Sequence, residues 1–244
     1  VSFLERAQGD PNGLAVDDGE RRRSWAELAD RSTRVARFLR EDLGLAPDDH
    51  AALLMANRAE YVEIVLGAIL AGVWLTPINW HLARDEIAYI VKDSGAKLVF
   101  TDPGYEALAR DAGAPAVLAA GEPLEAALAS ASDAPMPLDG PPGSTMIYTS
   151  GTTGRPKGVK RTRKPILGEA LAAQSQLGRS YGLDGSGPHL ITGPMYHAAP
   201  LLFAIYDQAS GAPLVIAPRF EERAVLRTLA EREIAHTHMV PTMF

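Results

Sequence analysis

Between Met146 and Val159 an apolar run gives way to a segment carrying four Ser/Thr hydroxyls, three glycines and two cations. These are phosphate-binding materials. Glycines let the backbone curl until its N–H groups converge on an anion, hydroxyls add donors without bulk, and a lysine adds a compact, mobile charge. From Arg155 to Lys164 there are six cations (Arg155, Lys157, Lys160, Arg161, Arg163, Lys164) and no acid, a strongly positive local field in an acidic chain. An arbitrary loop of this composition is more often a flexible linker beside a solvated basic face, but the order of residues argues against that here. A Walker loop counted from Gly151 needs glycine at Pro156 and a hydroxyl at Gly158, and both positions fail.

A second group of chemistry-bearing residues surrounds His197 in the segment Gly193 to Pro200, followed by small and apolar Ala198, Ala199, Leu202 and Phe203. By itself a lone histidine is more often a satisfied structural residue. His236 and His238 alternate on an expected strand, so both imidazoles would face one side. No motif places a third ligand, and no metal site is assigned to them.

The elements needed to hold these segments are legible as alternating strand and helix patterns, which points to α/β with mostly parallel sheets flanked by helices. Ser24 and Glu27 have capping-box spacing, and Trp25, Leu28, Val35 and Leu39 recur near helical period until Gly44. Strands are expected at His50–Ala56, Val73–Ile78 and Lys97–Thr101, and helices at Arg58–Ala71 and Ala83–Val91. Twelve alanines in the 28 residues from Ala107 to Ala134 predict a helix or two, followed by a loop rich in proline and glycine. The later chain alternates again: Leu190–Thr192, Ala198–Gln208, Pro213–Ala217, Glu221–Glu231 and Ala235–Val240, with Tyr181 to Asp184 read as a turn. The expected division is an α/β lobe over 1–134, a linker and strand over 135–148, and a second lobe over 149–244.

Composition narrows the function class. With 24 Lys plus Arg against 30 Asp plus Glu the net charge is −6, which disfavours a general nucleic-acid binder. There is no cysteine, hence no disulfide, thiolate zinc site or cysteine nucleophile, and a cytoplasmic location is expected. The N-terminal residues show no secretory signal pattern, and the unbroken apolar stretch Ile64 to Leu75 is 12 residues, against about 20 for a spanning helix. No membrane span is expected.

Tyr148 to Gly158 resembles the phosphate-loop signature of the adenylate-forming enzymes, and more closely that of their acyl-CoA synthetase branch. The resemblance implies contacts to the β- and γ-phosphates of ATP for Thr149, Ser150, Gly151, Thr152, Thr153, Gly154 and Lys157. Gly193 to Pro200 is similar to the family's next signature, which implies that His197 lines the acyl pocket and gates the thiol tunnel, with Ala198, Ala199 and Leu202 beside it. Leu75 to Asn79 and Asp85 to Lys97 are similar to the family's N-terminal lobe. The likeness extends from about Phe3 to Phe244 and implies ATP, Mg2+ and CoA as reaction partners.

The family's magnesium-binding glutamate, its ribose-binding aspartate and the lysine of its small C-terminal lid domain match no position here, so the expectation is an N-terminal fragment lacking that lid, with the glutamate beyond Phe244. Thr149, Lys157 and His197 are the candidate catalytic residues. The implied reaction joins a hydrophobic carboxylic acid, fatty or ring-bearing, to AMP and then to CoA. It requires positioning and charge neutralisation but no side-chain nucleophile. A non-catalytic nucleotide- or acyl-binding remnant, a peptide-synthetase adenylation domain and a luciferase-like oxygenase are the competing readings.

Overall fold

The computed structural model describes residues 2–149 and 155–244. Contacts divide the chain into two units, each drawing on separated stretches: residues 1–30, 57–59 and 168–244 form one, and residues 31–56 and 60–167 form the other.

The first unit begins with α1 (Phe3–Gly9), whose Ser2 and Glu5 form a capping box. The chain then forms β1 (Leu14–Asp17) and β2 (Arg22–Ser24), joined as an antiparallel hairpin. The expected capping box at the next helix is present: the Ser24 N–H donates to Glu27 at 2.7 Å and the Glu27 N–H to the Ser24 hydroxyl at 3.2 Å. That helix, α2 (Trp25–Arg37), is followed by a π-helical turn at Phe38–Asp42, and Gly44 stops it at φ 65°.

The second unit is built on a six-stranded sheet. Its members are β3 (His50–Leu54), β4 (Trp74–Pro77), β5 (Ala96–Thr101), β6 (Val117–Ala119), β7 (Ser144–Thr149) and β8 (Lys157–Lys160), in the order β6-β5-β3-β4-β7-β8. Every pairing is parallel except β7 with β8. β3 is buried at all five positions, as a central strand covered on both faces must be. Helices α3 (Ala59–Ala71), α4 (Arg84–Ser94), α5 (Glu106–Asp111) and α6 (Glu122–Ser130) alternate with the strands. α3 is almost wholly buried; its Glu63, at 0% exposure, is neutralised by Arg31, whose Nε lies 2.8 Å away. α4 buries Ile87, Ile90 and Val91 and ends at Gly95, where φ of 69° favours a residue without a Cβ.

The rest of the first unit alternates in the expected way. It contains α7 (Leu167–Ser180), β9 (His189–Ile191), α8 (Ala198–Ser210), β10 (Leu214–Ile216), α9 (Glu222–Glu231) and β11 (His236–His238). The sheet order is β11-β9-β10-β1-β2, with all pairs parallel but the terminal hairpin. Tyr181 and Gly182 turn the chain after α7, Gly182 at φ 81°, as the sequence suggests. Leu190, Val215 and Val225 form a small core between this sheet and α9.

The mostly parallel α/β architecture is as expected, and element boundaries agree to within a few residues for β3, α3, β4, α4, β5 and α8. Six elements go beyond the sequence reading: α1, β1, β2, β6, β8 and α7. β8 is exposed at all four positions and carries two lysines, so nothing in its hydrophobic pattern marks it as a strand.

Candidate active site

β7 delivers the chain to the hydroxyl-rich loop and β8 receives it. In their antiparallel register Thr149 lies opposite Lys157, Tyr148 opposite Gly158 and Ile147 opposite Val159. The two ends of the loop are thus locked together by strand pairing, with a hydroxyl and an ammonium at the closing pair. Thr149 and Lys157 are both exposed. Of the remaining loop candidates, Ser150, Gly151, Thr152, Thr153 and Gly154 lie outside the described residues.

The cations beyond the loop divide by partner. Arg155 lies over the Tyr89 ring, 5.3 Å from its centroid. Lys160 and Arg163 lie over Trp74, at 4.9 and 4.6 Å, and Arg163 also pairs with Asp48. Beneath them His50, stacked near Trp74, is held down to about 4 by burial and then by the Lys160 charge, against the opposing pull of Asp49 and Asp48. The basic run is therefore partly neutralised by fixed aromatic and acidic partners.

In the other unit, His197 stands at the N-cap of α8 with extended backbone (φ −85°, ψ 146°) and makes no capping bond through its side chain. The side chain is exposed, and its ring contacts Tyr196 at 4.5 Å between centroids. Desolvation by its surroundings lowers it from the usual imidazole range. Ala198, Ala199, Leu202 and Phe203 are half-buried while Leu201, Ala204 and Ile205 on the same helix are buried. Four small or apolar side chains are left partly open beside the histidine. Phe203 is held between Tyr181 (5.5 Å) and His238 (5.3 Å).

The segment leading to His197 is fixed by a residue that the sequence reading did not single out. Asn57 donates to the Gly193 carbonyl at 2.9 Å and accepts the Met195 N–H at 2.8 Å, so one amide grips the backbone on both sides of Pro194. The only sequence signal was an asparagine between a strand and a helix.

His236 and His238 have separate engagements. The buried Asp207 Oδ2 lies 2.9 Å from Nδ1 of both His189 and His236, whereas His238 packs on Phe203. Among the described residues no group of three or more histidines and carboxylates is arranged to hold a metal ion. No described helix is long and apolar enough to cross a membrane.

The sequence model of the AMP-binding enzyme family matches residues 3–244. The chain belongs to that family. Among the AMP-binding enzymes it is 30% identical over 244 residues to a feruloyl-CoA synthase of an Amycolatopsis species, the match covering 99% of this chain and 48% of that protein. It is also 30% identical over 231 residues to the long-chain-fatty-acid–CoA ligase FadD13 of Mycobacterium tuberculosis, with 91% and 45% covered. The fold superposes on o-succinylbenzoate CoA synthetase from Bacillus subtilis, solved with its acyl-adenylate intermediate, at a TM-score of 0.80 and 26% identity, covering 99% of this chain and 62% of that one. The chain spans about half the length of the curated relatives it matches. The resemblance to adenylate-forming enzymes read from Tyr148 to Gly158 and from Gly193 to Pro200 is therefore correct at the level of family and fold.

Proposed function

We propose that this chain supplies the ATP-phosphate and acyl-binding parts of an AMP-forming acid–CoA ligase. The observation that carries the reading is the β7–β8 register, which sets Thr149 against Lys157 at the mouth of a loop of glycines and hydroxyls in a member of the AMP-binding family. In this reading Thr149, Ser150, Gly151, Thr152, Thr153, Gly154 and Lys157 hold the outer phosphates of ATP. A substrate carboxylate oxygen attacks the α-phosphorus and pyrophosphate departs. The CoA thiol then attacks the acyl carbonyl and AMP departs. Lys157 offsets charge on the phosphates, and magnesium enters with the nucleotide.

His197 gates the acyl pocket, while Ala198, Ala199 and Leu202 line it. Partly open apolar side chains in that place favour a hydrophobic acid over acetate. The relatives named for feruloyl and long-chain fatty acyl groups agree with a fatty or ring-bearing acid. A cytoplasmic setting accompanies the reading and is supported by the absence of cysteine.

The test is ATP–pyrophosphate exchange by the protein encoded by the full reading frame, with Mg-ATP and a broad panel of carboxylates. Exchange should appear with an apolar acid and fall sharply in Lys157→Ala. Absence of exchange with every acid would overturn the ligase reading, leaving Mg-ATP binding without turnover as the mark of a binding module.

A further inference from the structure

The C-terminal root of the hydroxyl-rich loop is gripped by α4. Tyr89, half-buried on that helix, donates its hydroxyl to the Pro156 carbonyl at 3.0 Å, beneath the Arg155 guanidinium already described. Tyr148, on β7, meets the Tyr89 ring edge-on, with centroids 6.5 Å apart and planes at 87°. Its hydroxyl in turn donates to Asp93 on α4 at 2.6 Å. Burial, and after it the Asp93 carboxylate, push the Tyr148 hydroxyl far above the usual phenol range, so this bond keeps its proton at physiological pH. Gly158 completes the arrangement: a Cβ there would lie 3.1 Å from both Tyr148 and Met146, so the residue after Lys157 is packed against the same tyrosine.

A cavity of about 460 Å³ opens beside these contacts, walled in part by Leu82, Ala88, Lys92 and Pro156. The tyrosine contacts bridge α4 and the loop root at the edge of this cavity. Their point of action matters because the Pro156 carbonyl and the Lys157 N–H belong to one planar peptide unit. Proline fixes its own φ, and a hydrogen bond to its carbonyl fixes the plane that follows. The direction in which the chain enters Lys157 is then set from α4.

We propose that Tyr89 is a positioning residue for the polyphosphate loop: its hydroxyl holds the Pro156–Lys157 peptide and thereby sets the approach of Lys157 to the outer phosphates of ATP. This rests on the reading of Lys157 as a phosphate ligand. Tyr148 and Asp93 brace Tyr89 from the side.

Tyr89→Phe removes the hydroxyl and keeps the ring under Arg155. Without nucleotide, amide exchange at Lys157 and Gly158 should rise about fivefold, the equivalent of one ordinary hydrogen bond, with an unchanged melting temperature. The dissociation constant for Mg-ATP, read by calorimetry, should rise about fivefold relative to that for AMP, which lacks the phosphates assigned to Lys157. Tyr89→Leu, which also removes the ring, should do more on both counts. Exchange at Lys157 and Gly158 equal to the parent's would overturn the proposal, and so would an equal loss of affinity for both nucleotides, the mark of a merely structural role. Should the parent protein bind no Mg-ATP, the phosphate reading of Lys157 fails on its own, and the exchange rates alone decide whether Tyr89 holds the peptide.

Discussion

Thr149 and Lys157 face each other as the closing pair of the β7–β8 ladder, although seven residues separate them in the chain. A strand reading Lys-Gly-Val-Lys, exposed at every position, has no core to drive it into a sheet. It forms because β7 offers an unpaired edge and the antiparallel return satisfies the backbone groups of both strands. A hydroxyl and an ammonium are thereby placed opposite each other at one end of the sheet.

Because Lys157 is exposed, replacing it should affect binding and not folding. Lys157→Ala is expected to weaken Mg-ATP binding by about tenfold, the scale of one charge-assisted phosphate contact, while leaving the melting temperature unchanged. Lys157→Arg should recover part of the loss, and raising the salt concentration should shrink the difference between parent and variant. Calorimetric titration at two ionic strengths checks this, and equal affinities for parent and Lys157→Ala would remove Lys157 from the site.

Asn57→Ala leaves the Gly193 carbonyl and the Met195 N–H without their partner. A loss of about 1–3 kcal/mol in stability is expected, read from urea denaturation. Asn57→Asp keeps an acceptor for Met195 but no donor for Gly193, so it should fall between the two. If His197, Ala198, Ala199 and Leu202 form the acyl wall as proposed, acyl-substrate affinity should decline in the same order, because Asn57 fixes the segment that leads to them.

Gly67 on α3 is tolerated only as glycine, since a Cβ would lie 2.4 Å from Val35 Cγ1 and 2.9 Å from the Ser32 carbonyl oxygen. Gly67→Ala should destabilise by about 1–3 kcal/mol through overpacking. Adding Val35→Gly, which removes Cγ1 and also the Val35 Cβ at 2.5 Å, should relieve part of the clash, giving a favourable coupling in a double-mutant cycle. Additive losses would show that the helix backbone, not Val35, sets the limit.

His50 titrates at about 4 in the folded protein, against its usual 6.5. A depressed histidine favours the neutral form in the native state, so the stability it supports is complete above pH 6.5 and is lost as the pH falls from 6.5 towards 4. The loss has an upper bound of about 3 kcal/mol, set by 1.36 kcal/mol per pH unit. Denaturation midpoints measured from pH 7 to pH 4 should fall more steeply for the parent than for His50→Gln. Parallel curves would assign the acid sensitivity to other groups.

Much of this protein was readable from order and spacing. The segment Tyr148 to Gly158 pointed to the AMP-binding family because the order of its glycines, hydroxyls and lysine is specific, and Gly193 to Pro200 marked the second segment. Strands such as His50–Leu54 and helices such as Ala198–Ser210 follow from apolar runs bounded by turn residues, a property of neighbours in the chain.

What the chain did not disclose are the relationships between distant residues. Val16 pairs with Leu214 across almost the whole sequence, Asn57 grips Gly193 and Met195, and Asp207 joins His189 to His236. The contact of Tyr89 with Pro156 belongs with these. Hydrophobic period and composition determine that an element forms and which face it buries, because those effects act within a few residues. Which strand completes an edge, and which buried carbonyl or carboxylate a polar side chain must satisfy, is decided only when packing closes the chain on itself, since the cost of an unpaired buried group depends on what the rest of the fold brings within hydrogen-bond reach.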